Sequence, residues 1–209
     1  MEVTREPSTI DELQKFYIGV FRPLYDRFIN SGAVAQEIHA EMAAALDHLF
    51  CRVFSSPTSP SAEEIRKAAG HLKRATFDGF KLVFQNDIRK NYDKYMDNRY
   101  ADVHDGKFRK EITQKWLAAR AHADKARVLE RESRGAYCES WHAAFDEWQN
   151  IIEIADYFCG LGADDTVIRA RRKSSIQRVL SALGWLATLV LGAILSHLPI
   201  FSKLFSADS

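Results

Sequence analysis

From Val179 to Ile200 the chain runs VLSALGWLATLVLGAILSHLPI, an apolar stretch in which only His197, near the far end, is ionisable. Its 22 residues would rise roughly 33 Å as a helix, about the thickness of a bilayer's hydrocarbon core. A segment of this kind predicts one transmembrane helix. Arg169, Arg171, Arg172, Lys173 and Arg178 precede it, whereas only Lys203 and Asp208 follow it. Lys and Arg beside a span favour the cytoplasmic face, which predicts a single-pass membrane protein whose first 178 residues are cytoplasmic. The five basic residues are placed to meet lipid headgroups. Only nine residues follow Ile200, so insertion is expected after translation, as for tail-anchored proteins. The N-terminal MEVTREPSTIDELQ is polar and acidic and contains no apolar core of a secretory signal.

The chain divides on this basis into a helical body (1–165), a basic juxtamembrane helix (166–178), the span (179–200) and a short tail (201–209). The whole chain has 29 basic and 28 acidic residues; without the five collar cations, Lys203 and Asp208, it keeps 23 and 27, about −4 overall. Such a balance argues against general nucleic-acid binding, which needs positive charge over the contact surface. Residues 107–134 dissent locally, with nine Lys or Arg against four Asp or Glu. They make either a solvated helix face or a second contact with anionic lipid. Cys51, Cys138 and Cys159 show no C-x-x-C spacing, and are expected as buried, reduced thiols.

Helical periodicity covers nearly all of the body. Ser8 or Thr9 followed by Glu12 reads as a capping box, after which Leu13, Phe16, Tyr17, Val20, Leu24 and Phe28 recur at helical spacing. Pro23 should kink or split this first helix, and Ser31-Gly32 should end it. A second helix is expected from about Ala33 to Phe54. The linker Ser55–Ser61 then leads to Ser61-x-x-Glu64, the cap of a long third helix reaching about Asp97, whose continuity Gly70 and Gly79 weaken. A fourth helix to about Arg131 carries the thin stripe Phe108, Ile112, Trp116, Ala119, Ala123 and Val128. The fifth has the clearest pattern, with Tyr137, Trp141, Ala144, Phe145, Trp148, Ile151, Ile152, Ala155 and Phe158 on one face. Asp164 or Asp165 caps a sixth helix that should enter the membrane without a flexible break. The fold class is therefore all-α: an antiparallel cytoplasmic bundle with one C-terminal transmembrane helix.

No sequence motif establishes an enzyme. Glu139-x-x-His142 has the spacing of a di-metal carboxylate site but lacks the second copy that such a site needs, and Cys138 with His142 supplies two zinc ligands where four are the norm, so no metal and no cofactor is assigned. His71, Arg74 and Asp78 align opposite the third helix's apolar arc, as a solvated face with Arg74 paired to Asp78. Two Arg-x4-His patterns occur, Arg66 to His71 and Arg99 to His104. The second, in NRYADVHDG at a helix junction, resembles the ribonuclease motif of HEPN domains, helical bundles in which paired protomers set Arg and His beside a scissile phosphate. That resemblance implies Arg99 and His104 as catalytic residues of a metal-independent ribonuclease, and RNA as a partner under that reading alone. Taken by themselves, the same two residues are ordinary members of a polar turn.

Gly184, Thr188, Gly192 and Ser196 fall at four-residue intervals along the span. Small residues so spaced let helix backbones approach, and a single span has no second helix of its own to fill the groove. The expected partners are membrane lipid and either another copy or a different membrane protein. The resulting expectation is a membrane-anchored helical protein acting through protein binding and oligomerisation, similar in architecture to membrane-linked effectors of bacterial immunity, with the tethered HEPN-like ribonuclease as the alternative.

Overall fold

Thr9 starts the first helix as its spacing requires: its side chain accepts from Glu12 N while the Glu12 carboxylate accepts from the Thr9 backbone, a complete capping box. The structure is a computed structural model that describes residues 6–30, 35–50, 60–97, 100, 103–134 and 138–196, with the backbone alone at 30, 105, 174 and 192–196. The helices are α1 (Ile10–Phe16), α2 (Arg22–Asn30), α3 (Gln36–Phe50), α4 (Ala62–Val83), α5 (Lys90–Tyr95), α6 (Lys107–Ser133), α7 (Glu139–Gly160) and α8 (Asp165–Ser196). Among the described residues there is no strand. Ser31-Gly32, Tyr137 and most of the Ser55–Ser61 linker lie outside them.

Pro23 does not end the first helix, which runs as two α-helical pieces, α1 and α2. A π-helical turn, Tyr17–Phe21, joins α1 to α2, and Arg22 N donates to Tyr17 O, five residues back. A proline at position 23 cannot donate to the carbonyl of Gly19 and its ring crowds that carbonyl, so widening the turn just upstream accommodates it. A second π turn, Phe84–Arg89, joins α4 to α5, so the chain is helical from Ala62 to Tyr95. Ser61 caps this long element with its own capping box to Glu64.

Gly79 is the point at which α2 meets α4. A Cβ there would lie 2.7 Å from Phe28 Cε2 and 2.8 Å from Leu24 Cδ2, closer than carbon atoms can pack. The glycine that weakens the helix pattern is thus what lets the two backbones approach. Gly70 has no such neighbour, with only Arg74 Nη1 at 3.9 Å.

The core gathers against α4 from both sides. Trp148 of α7 is fully buried and stacks on Phe80 (centroids 6.1 Å, interplanar 5°), and Trp141 packs against Phe16, Phe77 and Phe145. Such aromatic pairs add about 0.5–1.5 kcal/mol each beyond the area they bury. Along α6, Phe108, Ile112, Ala119, Ala123 and Ala126 are buried, whereas Val128 is exposed. The helix therefore presents its small residues to α7, and the expected Val128 is replaced in the core by Ala126.

Two charged groups lock these layers. Arg27 of α2 donates from Nε to Asp87 Oδ2 (2.8 Å) in the π turn after α4 and from Nη1 to Asp156 Oδ1 (2.6 Å) on α7. On the other side, Glu41 of α3 stands between His71 Nδ1 (2.6 Å) and Arg74 Nε (3.0 Å) of α4. His71 is consequently half-buried under α3, while Arg74 stays exposed; Arg74 pairs with Glu41 and Asp78 with Lys81 (3.0 Å), not with each other. Burial alone would raise the Glu41 carboxyl, but hydrogen bonds from Arg74 and His71 hold it below its ordinary range.

Gly79→Ala should destabilise the fold by about 1–3 kcal/mol, the scale of overpacking in a core. Gly70→Ala should instead be neutral or stabilising by up to about 1 kcal/mol, because it adds only helix propensity. Paired chemical-denaturation curves check both.

Candidate functional site at the start of the C-terminal helix

Asp164 sits in extended backbone (φ −69°, ψ 122°) where the short 3-10 turn Leu161–Ala163 hands the chain to α8. Its Oδ1 accepts from Thr166 N (2.7 Å), from Val167 N (3.3 Å) and from the Thr166 hydroxyl. Those bonds satisfy donors that the helix itself leaves open, and they hold the Asp164 carboxyl below its ordinary range, the Thr166 hydroxyl contributing most. Asp164 is therefore the cap, and Asp165 is the first helical residue.

His104 completes this junction from the other side. It lies in the 3-10 turn Val103–Gly106 with φ 51°, a left-handed conformation that few non-glycine residues adopt. Its Nε2 is 2.8 Å from Thr166 Oγ1 and 3.8 Å from Asp164 Oδ2, and its ring meets Phe108 edge-on. A hydroxyl has one proton; Thr166 gives it to Asp164, so its oxygen accepts from His104 Nε2–H. Nδ1 is the nitrogen left for other chemistry. Arg99 lies outside the described residues. In the other Arg-x4-His pattern Arg66 is exposed on α4, while His71 bonds to Glu41.

Beneath this cap the body is aromatic and buried. Tyr95, Tyr100 and Phe108 meet at centroid distances of 5.3 to 6.4 Å, and Leu161 and Val167 are buried with them. Ala170 is the last α8 residue packed on the core. Beyond it, Arg171, Arg172, Lys173 and Arg178 are exposed, as is Arg169, whose Nε donates back to Asp165 O (3.2 Å).

α8 then continues without a break to Ser196, 32 residues in all and about 48 Å long. It is long and apolar enough to cross a membrane, and none of its most apolar part is buried against the body. Ile176, Val179, Leu180, Leu183, Trp185, Leu186, Leu189, Val190 and Leu191 are each more than half exposed. A Cβ added at Gly184 would meet nothing within 4 Å. Thr188 Oγ1 donates to Gly184 O (2.9 Å), so its hydroxyl is satisfied inside its own helix. Gly192 and Ser196 continue the same face in the backbone; their side chains, and residues 197–200, lie outside the described residues.

The basic run of α6 is mostly exposed, and part of it is paired. Lys125 pairs with Glu147 (2.5 Å), Arg127 with Asp124 (3.1 Å), and Arg120 lies 3.8 Å from Asp124. Arg127 also lies over the rings of Phe84 and Trp148, and Arg109 donates to Met96 O. Cys159 is exposed, with Sγ 3.9 Å from Arg27 Nη2, contrary to the buried thiol expected; Cys138 is half-buried and Cys51 lies outside the described residues. No group of three or more His, Cys, Asp or Glu that could hold a metal occurs among the described residues. In comparisons with known proteins, no family model, curated protein or solved structure matches the chain.

Asp164→Ala should cost about 1 kcal/mol, as for loss of an N-cap, and should speed hydrogen exchange at the first α8 amides. The linkage has a definite sign. The folded-state pKa is lowered, so this contribution is complete above the ordinary value of 3.8 and is lost as pH falls through the lowered one. The stability difference between wild type and Asp164→Ala should accordingly shrink in strong acid, measured by denaturation at a series of pH values.

Proposed function

We propose that the chain is a membrane-attached helical protein that works by association. In this reading residues 10–163 form an antiparallel bundle on the cytoplasmic side, Arg169, Arg171, Arg172, Lys173 and Arg178 lie among anionic headgroups, and the apolar remainder of α8 is a single span. The observation that carries the reading is the unbroken α8 helix, capped and packed on the body at Asp164 and Val167 and wholly exposed over its apolar half. Each large apolar side chain left in water forfeits about 1.5–3 kcal/mol relative to burial, a cost that hydrocarbon removes.

Association is assigned to the face formed by Gly184, Thr188, Gly192 and Ser196. The Thr188 hydroxyl already donates within α8, so close backbone packing is the driving contact and Thr188 can add to it only as an acceptor. A second copy is the occupant favoured here, with another membrane protein as the competing one. The rigid helix links any movement of the body to the span. A helical body on a clustered span is the architecture of membrane-linked immune effectors, and the proposed role in antiviral defence rests on that likeness of plan.

Full-length protein should stay with membranes through alkaline carbonate extraction, and Leu186→Lys with Leu189→Lys should release it. In detergent its mass should correspond to more than one copy, and Gly184→Leu with Gly192→Leu should reduce it to a monomer while His104→Ala leaves it unchanged. A monomeric wild type sinks the association reading. RNA cleavage by the purified protein that disappears in His104→Ala would establish the ribonuclease alternative.

A further inference from the structure

Helices α2 and α7 both lean on α4 and leave between them a cleft of about 650 Å³. That is within the usual size range of small-molecule sites, roughly 300–1,000 Å³. Phe80 of α4 forms its floor, Val20 and Leu24 one wall, and Phe145 and Ile152 the other. Two features described above hold it open. The contact at Gly79 seats α2 directly on α4, and the π turn before Pro23 puts Gly19 and Val20 along the edge. Phe80 and Phe145, which both line the cleft, meet at 74° with centroids 5.6 Å apart.

The charged groups that line this space are two acids, Asp26 and Glu153, and one base, Arg27. Arg27 closes an end, but its Nε and Nη1 are given to Asp87 and Asp156. Asp26 and Glu153 line the rim, and Asp26 has only the exposed Arg22 nearby, at 3.8 Å. Glu153 is exposed and has no partner among the described residues. The count is four carboxylates against two guanidinium groups. An anion entering here would meet Glu153 and Asp26 and find Arg27 engaged. A cation would meet an unpaired carboxylate beside aromatic rings, the two groups that attract ammonium and guanidinium ions.

We propose that this cleft binds a small organic cation on an apolar or aromatic stem, with the charged end at Glu153 and the stem along Phe145 and Ile152 above Phe80. The site needs neither a membrane nor a second copy, and it stands or falls apart from the reading given for the span.

The test is calorimetric titration of the full-length protein in non-ionic detergent with 4-phenylbutylamine and, in parallel, with 4-phenylbutyrate, which keeps the stem and reverses the charge. The amine should bind saturably and the carboxylate should not. Glu153→Gln should weaken the amine about tenfold, the scale of one charge-assisted contact. Phe145→Ala should weaken it as well, while Glu132→Gln, an exposed acid on α6, should leave it unchanged. Partition into detergent is common to every variant and cancels between them. Because Glu153 is exposed, its substitution tests the site without disturbing the core. Equal binding of amine and carboxylate, no saturable binding of the amine, or a Glu153→Gln protein that titrates like wild type would each overturn the proposal.

Discussion

The body depends on one close approach, that of α2 to α4 at Gly79. Around it the long helical element from Ala62 to Tyr95 serves as the common support: α1 and α2 lie on one part of it, α3 on another, and α7 on a third. With the spacing at Gly79 set, Leu24 and Phe28 reach the core and Arg27 comes within reach of Asp87 and Asp156. A larger residue at 79 would lift α2 and pull on that ion group as well as on the packing. Removing the guanidinium would leave Asp87, whose side chain is 12% exposed, without its cationic partner, the costly way to break a buried pair.

Charge in this protein is spent mostly on joining helices. Arg27, Glu41 and Glu147 each bridge elements distant in sequence, and the cations of α6 turn toward acids and aromatic rings of the fold. In the first turns of α8, Arg169, Arg171, Arg172 and Lys173 are exposed close together.

Local features were legible in the sequence, and contacts between distant segments were not. Both capping boxes, the apolar face of α7 and the cap at Asp164 follow from residues within four positions of one another. So does the exposed apolar half of α8, which its unbroken composition predicts. The π turns carry no residue signature of their own, and Pro23, just after the first of them, is the one local cue. The partner of His71 and Arg74 is not legible from their own helix, because Glu41 is some thirty positions earlier. His104 was read with Arg99 for their spacing, whereas its resolved partner Thr166 is 62 residues away. Arg27 was overlooked in a helix read for Leu24 and Phe28. A cation beside two core positions was the available signal, but its partners, 60 and 129 residues on, leave no pattern to find.

The absence of any hinge in α8 makes the helix a lever. Its fulcrum is the short contact at Asp164, Thr166 and Val167, and its arm is the remaining length to Ser196. Over about 48 Å, a tilt of about 5° at the fulcrum moves the far end by about 4 Å, nearly the width of a side chain. Small adjustments of Val103–Gly106 or Leu161–Ala163 are thereby magnified along the rod, and the gearing is set by a histidine, a threonine and an aspartate at its base.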